Sequence, residues 1–168
     1  MALRRIASIG DSVLRKQTRI VVKFNGRLHQ LLDDMASTMY DANGCGLAAP
    51  QVGILMRAIV IDLGGEENRL IELLNPEIQN MEGEEEGIEG CLSIPGKNGY
   101  VIRPSSIQIR AQDRYGEYFE MDACGMLARC ICHEIDHLHG RLYTDIMIRE
   151  APIDEKEDVM QNDKNAED

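Results

Sequence analysis

Residues 133–137 read His-Glu-Ile-Asp-His, and no other stretch constrains this chain as tightly. The pattern falls in a segment, Asp122–Leu138, where Met126, Leu127, Cys130, Ile131, Glu134 and His137 follow the period of a helix. His139-Gly140 reads as its carboxy-terminal stop. Four residues advance a helix by ~400°, so His133 and His137 leave one face about a turn apart, and two ring nitrogens can reach one divalent ion at ~2 Å. Glu134 lies ~100° round from His133, beside such an ion without binding it, where a general base acting on water belongs.

Two imidazoles need a third ligand. The extended pattern H-E-x-x-H-x-x-G-x-x-H has Gly140 in place, but its last position is Tyr143. A Glu from a later helix, the solution of a second peptidase group, would have to come from a polar tail. Cys130 shares a face with His133 but is seven residues from His137, ~10 Å along the axis, so one straight helix cannot bring all three together. Cys124 and Cys132 lie too far back or point elsewhere, and Cys130 and Cys132 read as packing residues. Cys45 and Cys91 remain, each in a Gly-flanked turn, and spacing does not choose between them.

The 168 residues are one domain's worth of chain, 43% apolar and 28% charged, enough to bury a core. A net charge of −11 and 4% aromatics argue against direct DNA binding, which needs cations and stacking surfaces. Residues 1–27 nevertheless hold seven Lys/Arg against Asp11 alone, while residues 150–168 hold eight acids and two Lys. Both ends read first as solvated surface. No apolar run nears the ~18 residues of a membrane span. Met1–Gly10 has Arg4 and Arg5 but no apolar stretch behind them, so the five cysteines are expected as thiols or ligands in a reducing cytoplasm.

Leu28, Leu31, Leu32, Met35 and Met39 predict an amphipathic helix over Gly26–Asn43. Gly44–Gly53 reads as a structured loop and Glu82–Glu89 as an acidic one. Strands are expected at Ala58–Leu63, Arg69–Leu74, Tyr100–Arg103, Ser106–Gln112 and Glu117–Met121. The fold class is α+β: antiparallel strands in meanders around a central helix carrying the His-Glu-x-x-His motif, with an amphipathic helix near the amino terminus. Residues 1–149 form a single metallohydrolase domain in this reading, and 150–168 an acidic polar tail, frayed or disordered.

Three segments together resemble peptide deformylase. Gly44-Cys45-Gly46-Leu47-Ala48-Ala49-Pro50-Gln51 resembles the family's G-x-G-L-A-A-P-Q; Glu89-Gly90-Cys91-Leu92-Ser93 matches E-G-C-L-S; His133-Glu134-Ile135-Asp136-His137-Leu138 matches H-E-x-D-H-L. They occur in the family's order and spacing. Gly10–Arg15 also resembles its opening, with Ser12 where Pro is usual, and the likeness runs from about Ile6 to Met147.

The resemblance implies Cys91 as the third ligand with His133 and His137, and Fe²⁺ as the ion, with Zn²⁺, Ni²⁺ or Co²⁺ able to substitute. It implies hydrolysis of the formyl group of an N-formylmethionyl peptide or nascent chain, with release of formate. Glu134 would be the base, and the Gln51 amide and Leu92 N–H would bind the developing oxyanion. The substrate backbone would lie along Gly44, Cys45 and Gly46, its methionine in a pocket with Cys130 and Met126. Glu89 would pair with Arg103 and orient the Cys91 strand, while Asp136 would fix a local network. Other implications are a bacterial cytoplasmic location and a transient contact with the ribosome. Some members dock there through a basic carboxy-terminal helix; this tail is acidic, which leaves the basic amino-terminal edge for that role. Two departures stand out: Cys132 replaces a usual Gln, and Gly96–Tyr100 lacks an Arg that some members have. The competing readings are a zinc peptidase cutting internal bonds and a blue-copper-like carrier, for which His₂Cys plus Met is the ligand set.

Overall fold

The computed structural model describes residues 2–65 and 69–153. In chain order the elements are α1 (Gly26–Asp41), β1 (Gly46–Ala48), β2 (Ala58–Ile61), β3 (Ile71–Glu82), β4 (Glu85–Cys91), β5 (Ile94–Arg103), β6 (Ser106–Gln112), β7 (Tyr118–Cys124), α2 (Gly125–Leu138) and β8 (Arg149–Ala151). Antiparallel pairing builds a five-stranded sheet, β1-β2-β3-β6-β7, and a three-stranded one, β4-β5-β8.

β2 shows how the layers are specified. All four of its residues are buried, and successive side chains leave opposite faces. Ala58 and Val60 pack with Leu28, Leu31, Leu32, Met35 and Met39 of α1. Ile59 and Ile61 pack with Ala128, Cys130, Ile131, Ile135 and Leu138 of α2. The five-stranded sheet is thus covered by one helix on each face. The polar residues of α2 turn instead toward the small sheet: Arg129 donates to the carbonyls of Val101 and Glu85, and Asp136 accepts from Arg103.

The helix ends follow local chemistry. The Asn25 side chain accepts from the Leu28 N–H, satisfying one of the open donors at the start of α1. After α2, Gly140 takes φ +71, and a Cβ there would stand 2.6 Å from the Arg15 carbonyl oxygen, so glycine meets both a conformational and a steric demand.

Several stretches differ from the sequence reading; β5, expected over Tyr100–Arg103, starts six residues earlier at Ile94. The acidic run expected as a loop contributes Glu85–Glu89 to β4, because an edge strand can hold the Glu85 and Glu86 carboxylates in solvent while Glu89 turns inward; Glu86 pairs with Arg149 at 2.6 Å. β3 continues past Asn75-Pro76 to Glu82 by shifting register between Leu74 and Glu77, the kind of irregularity that admits proline. The Gly44–Gly53 loop contains β1 and a 3₁₀ turn at Ala49–Val52. At the start of the tail, Glu150 and Ala151 pair with Gly99 and Asn98 of β5; residues 154–168 lie outside the described residues.

Candidate metal centre

β4 ends at Cys91, and α2 presents His133 and His137 toward it. One ligand atom from each residue lies within 4.8 Å of the others, and Cys91 Sγ stands 3.4 Å from His137 Nε2. A tetrahedral ion with bonds of ~2.3 Å to sulfur and ~2.1 Å to nitrogen separates its ligand atoms by ~3.5 Å, so the cluster fits one after small adjustments. Cys45 and Cys130 are not part of it.

The ring orientation of His133 is fixed from behind. Its Nδ1 is 2.8 Å from Glu89 Oε1, an arrangement in which Nδ1–H donates and Nε2 keeps its lone pair for the cluster. Burial alone would raise the Glu89 pKa, but hydrogen bonds from Arg103 and His133 hold it down at about 2. Arg103 donates to both Glu89 oxygens at 2.8 and 2.9 Å and to Asp136 at 2.7 Å, and is itself 6% exposed, so the pairing suggested by the sequence is a buried one and Arg103 is not a surface residue. Arg129 Nη1 adds a second guanidinium at 2.9 Å from Glu89 Oε2. The sequence reading missed Arg129 altogether.

Burial pushes the His137 pKa well below its ordinary value, keeping the ring neutral. His133 goes the other way: its burial would lower it, yet hydrogen bonds to Cys91 and Glu89 hold it well above. The Tyr143 ring stacks on His133 with centroids 6.0 Å apart.

Glu134 is buried, and its Oε2 has no hydrogen-bond partner. Burial raises its pKa to about 8, the His133 charge opposing. Its Oε1 rests against the bare Cα of Gly46, where a Cβ would be 2.6 Å from it and 2.9 Å from Cys130 Sγ. Gly44 is similarly close to Leu92, with Cδ1 at 2.5 Å from a notional Cβ. Gln51 is 1% exposed; its Oε1 accepts from the Ala48 N–H, and Nε2 donates to Ser93 Oγ at 3.1 Å and Cys91 Sγ at 3.6 Å. Ser93 is another residue the sequence reading did not single out. Burial drives the Cys132 thiol up to about 11, and this residue takes no part in the cluster.

Beside the cluster opens a cavity of about 610 Å³, lined among others by Gly44, Cys45, Leu92, Met126, Cys130 and Glu134. That size suits a small peptide side chain with part of its backbone. The arrangement sets three residues that could hold a cation beside a buried carboxylate and the Gln51 amide on one cavity wall, groups of the kind that hydrolyse an amide.

Comparison with known proteins agrees. The sequence profile of polypeptide deformylase matches residues 3–152. A peptide deformylase from Caldicellulosiruptor bescii is 56% identical over 149 residues, covering 89% of this chain and 88% of that one. Among solved structures, a peptide deformylase from Legionella pneumophila superposes with a TM-score of 0.84 at 40% identity, covering 99% of this chain and 98% of that one. One from Synechococcus elongatus, in complex with actinonin, gives 0.82 at 43% identity over 84% and 79%.

Proposed function

The chain belongs to the peptide deformylase family, and from there we propose how its own residues remove a formyl group from an amino-terminal methionine. Cys91, His133 and His137 hold one divalent ion. When bound, that ion acidifies water and polarises the formyl oxygen. Glu134 accepts the proton of the attacking water on its unpartnered carboxylate oxygen as the water oxygen joins the formyl carbon. The carbon–nitrogen bond then breaks, Glu134 returns the proton to the departing amine, and formate and a free amino terminus leave.

Gln51 meets the developing negative charge. Ser93 and the Ala48 N–H fix its amide plane, and the N–H directed toward Cys91 is the donor offered to the formyl oxygen, together with the Leu92 N–H. Losing one such donor commonly costs ~10²–10³ in kcat. The substrate backbone runs along Gly44, Cys45 and Gly46, and the methionine side chain enters the cavity beside Cys130 and Met126. Glu89, buried behind His133, acts as a positioning residue.

The observation carrying this reading is the Cys91–His133–His137 cluster with Glu134 at the head of one cavity. Formate release from formyl-Met-Ala-Ser and casein cleavage, assayed on one anaerobic preparation, test it. Formate without casein products is expected; casein cleavage without formate overturns it in favour of a peptidase. We assign Fe²⁺ as the ion from the family resemblance, with Zn²⁺, Ni²⁺ or Co²⁺ able to replace it, and elemental analysis of the same sample decides. Newly made chains in the bacterial cytoplasm are the proposed substrate; among the described residues no helix is long and apolar enough to cross a membrane. Arg4, Arg5 and Arg15 are paired with Asp34, Asp11 and Asp145, so ribosome contact through the basic edge would rest on exposed Lys16, Arg19, Lys23 and Arg27. Salt-sensitive co-sedimentation with ribosomes, lost when those four are neutralised, tests that contact.

A further inference from the structure

Two thiols that take part in no chemical step of that mechanism meet on the cavity wall. Cys45 Sγ and Cys130 Sγ are 4.0 Å apart, both residues line the cavity, and neither belongs to the metal-ligand cluster. We propose that Cys45 and Cys130 form a redox modification site, which peroxide converts to a disulfide that reversibly closes the active cavity.

The two sulfurs have unequal access. Cys130 is buried on α2, its sulfur 3.9 Å from the Cys45 carbonyl oxygen, whereas Cys45 is only partly buried and is the one an oxidant meets first. The Cys45 thiolate attacks a peroxide oxygen; the O–O bond breaks, leaving a sulfenic acid and, after one protonation, water. The Cys130 sulfur gives up its proton and displaces the sulfenic hydroxyl, so an S–S bond forms, the S–O bond breaks and a second water leaves. In total, two thiols and one hydrogen peroxide become one disulfide and two waters. A small dithiol reverses the change by exchange.

Closing 4.0 Å to a bond of ~2.05 Å requires the sulfurs to approach by about 2 Å. The backbone on the Cys45 side is held by β2: the Cys45 carbonyl accepts from the Asp62 N–H at 2.9 Å, and Gly46 pairs with Ile61. Most of the approach must therefore come from side-chain rotation. Any remaining movement presses Gly46 onto Glu134 Oε1, already too near to admit a Cβ. The cross-link thus narrows the wall along which the substrate backbone is placed and displaces the base.

The test uses zinc-loaded protein, because zinc has no redox chemistry and losses cannot be assigned to the ion. After brief hydrogen peroxide treatment, denatured thiols are counted and non-reduced peptides mapped by mass. A peptide pair joining Cys45 to Cys130, lighter by two hydrogens, is expected, with the thiol count falling from five to three. Formate release should fall at least tenfold and return with dithiothreitol. Cys45→Ser and Cys130→Ser should each keep most of their own starting activity through the same treatment. Five surviving thiols, oxidation confined to Cys91 or Cys124, or a linked pair with undiminished turnover would each overturn the proposal. The mass readout needs no activity, so a failure of the deformylase reading remains distinguishable from a failure of this one.

Discussion

Gly46→Ala places one methyl group between the substrate strand and the base. The added Cβ would stand 2.6 Å from Glu134 Oε1 and 2.9 Å from Cys130 Sγ, where ordinary contact begins near 3.4 Å. Restoring that spacing asks the carboxylate or β1 to move by about 0.8 Å in a wall that is buried on both sides. Overpacking of this kind costs about 1–3 kcal/mol of stability, or roughly 2–12 °C in Tm for a domain of this size. A displacement near 1 Å at a reacting group can cost ~10² in rate, so kcat for formyl-Met-Ala-Ser should fall ~10–100-fold. The ion ligands are untouched, and metal content should stay at one per chain. Steady-state kinetics, thermal unfolding and elemental analysis on one preparation check the three claims together. A variant that folds, keeps its metal and turns over at the wild-type rate would refute the assignment of Glu134 and Gly46 to one working wall.

Glu134→Gln should retain the ion while kcat drops ~10²–10⁴-fold, as removal of a general base does; metal analysis beside a formate assay reads both. Glu89→Gln takes the charge from the group that orients His133, turns one of its two accepting oxygens into a donor, and leaves Arg103 and Arg129 without a carboxylate between them. Metal affinity should weaken ~10–100-fold and stability fall by about 3–5 kcal/mol, measured by chelator competition and denaturant unfolding. Asp34 is held below the usual carboxylate range by the Ala2 N–H, with Gln30 and Arg4 adding to it. A carboxyl lowered in the folded state stabilises above its unfolded pKa of roughly 3.9 and loses that contribution as pH falls through the lower folded value. The Tm gap between wild type and Asp34→Asn should therefore be open at neutral pH and close in acid; a gap constant with pH would contradict this.

What the sequence shows and hides follows from which interactions leave a periodic trace. α2 was readable because its helical period and the four-residue histidine spacing coincide on one segment, and β6 because Ile107, Ile109 and Ala111 alternate. β4 was not, since an edge strand with exposed glutamates has the composition of a loop. Bonds to backbone carbonyls leave no trace either. Arg129 reaches Val101 and Glu85 that way, and its sole signal was a charged residue set between Ala128 and Cys130 in an otherwise buried run. Nothing local in the sequence marks Arg103 as buried, because its partners, Glu89 and Asp136, are 14 and 33 residues away. Spacing could not choose between Cys45 and Cys91. That depends on how β4 and β1 approach α2, which sets Cys91 beside the imidazoles and Cys45 beside Cys130.

Diffraction at the iron absorption edge from anaerobically grown crystals tests the claim on which the mechanism stands. The expected map has one anomalous peak per chain, ~2.0–2.4 Å from Cys91 Sγ and one ring nitrogen each of His133 and His137. A peak on any other residues, or no peak in protein that still releases formate at full rate, would contradict it.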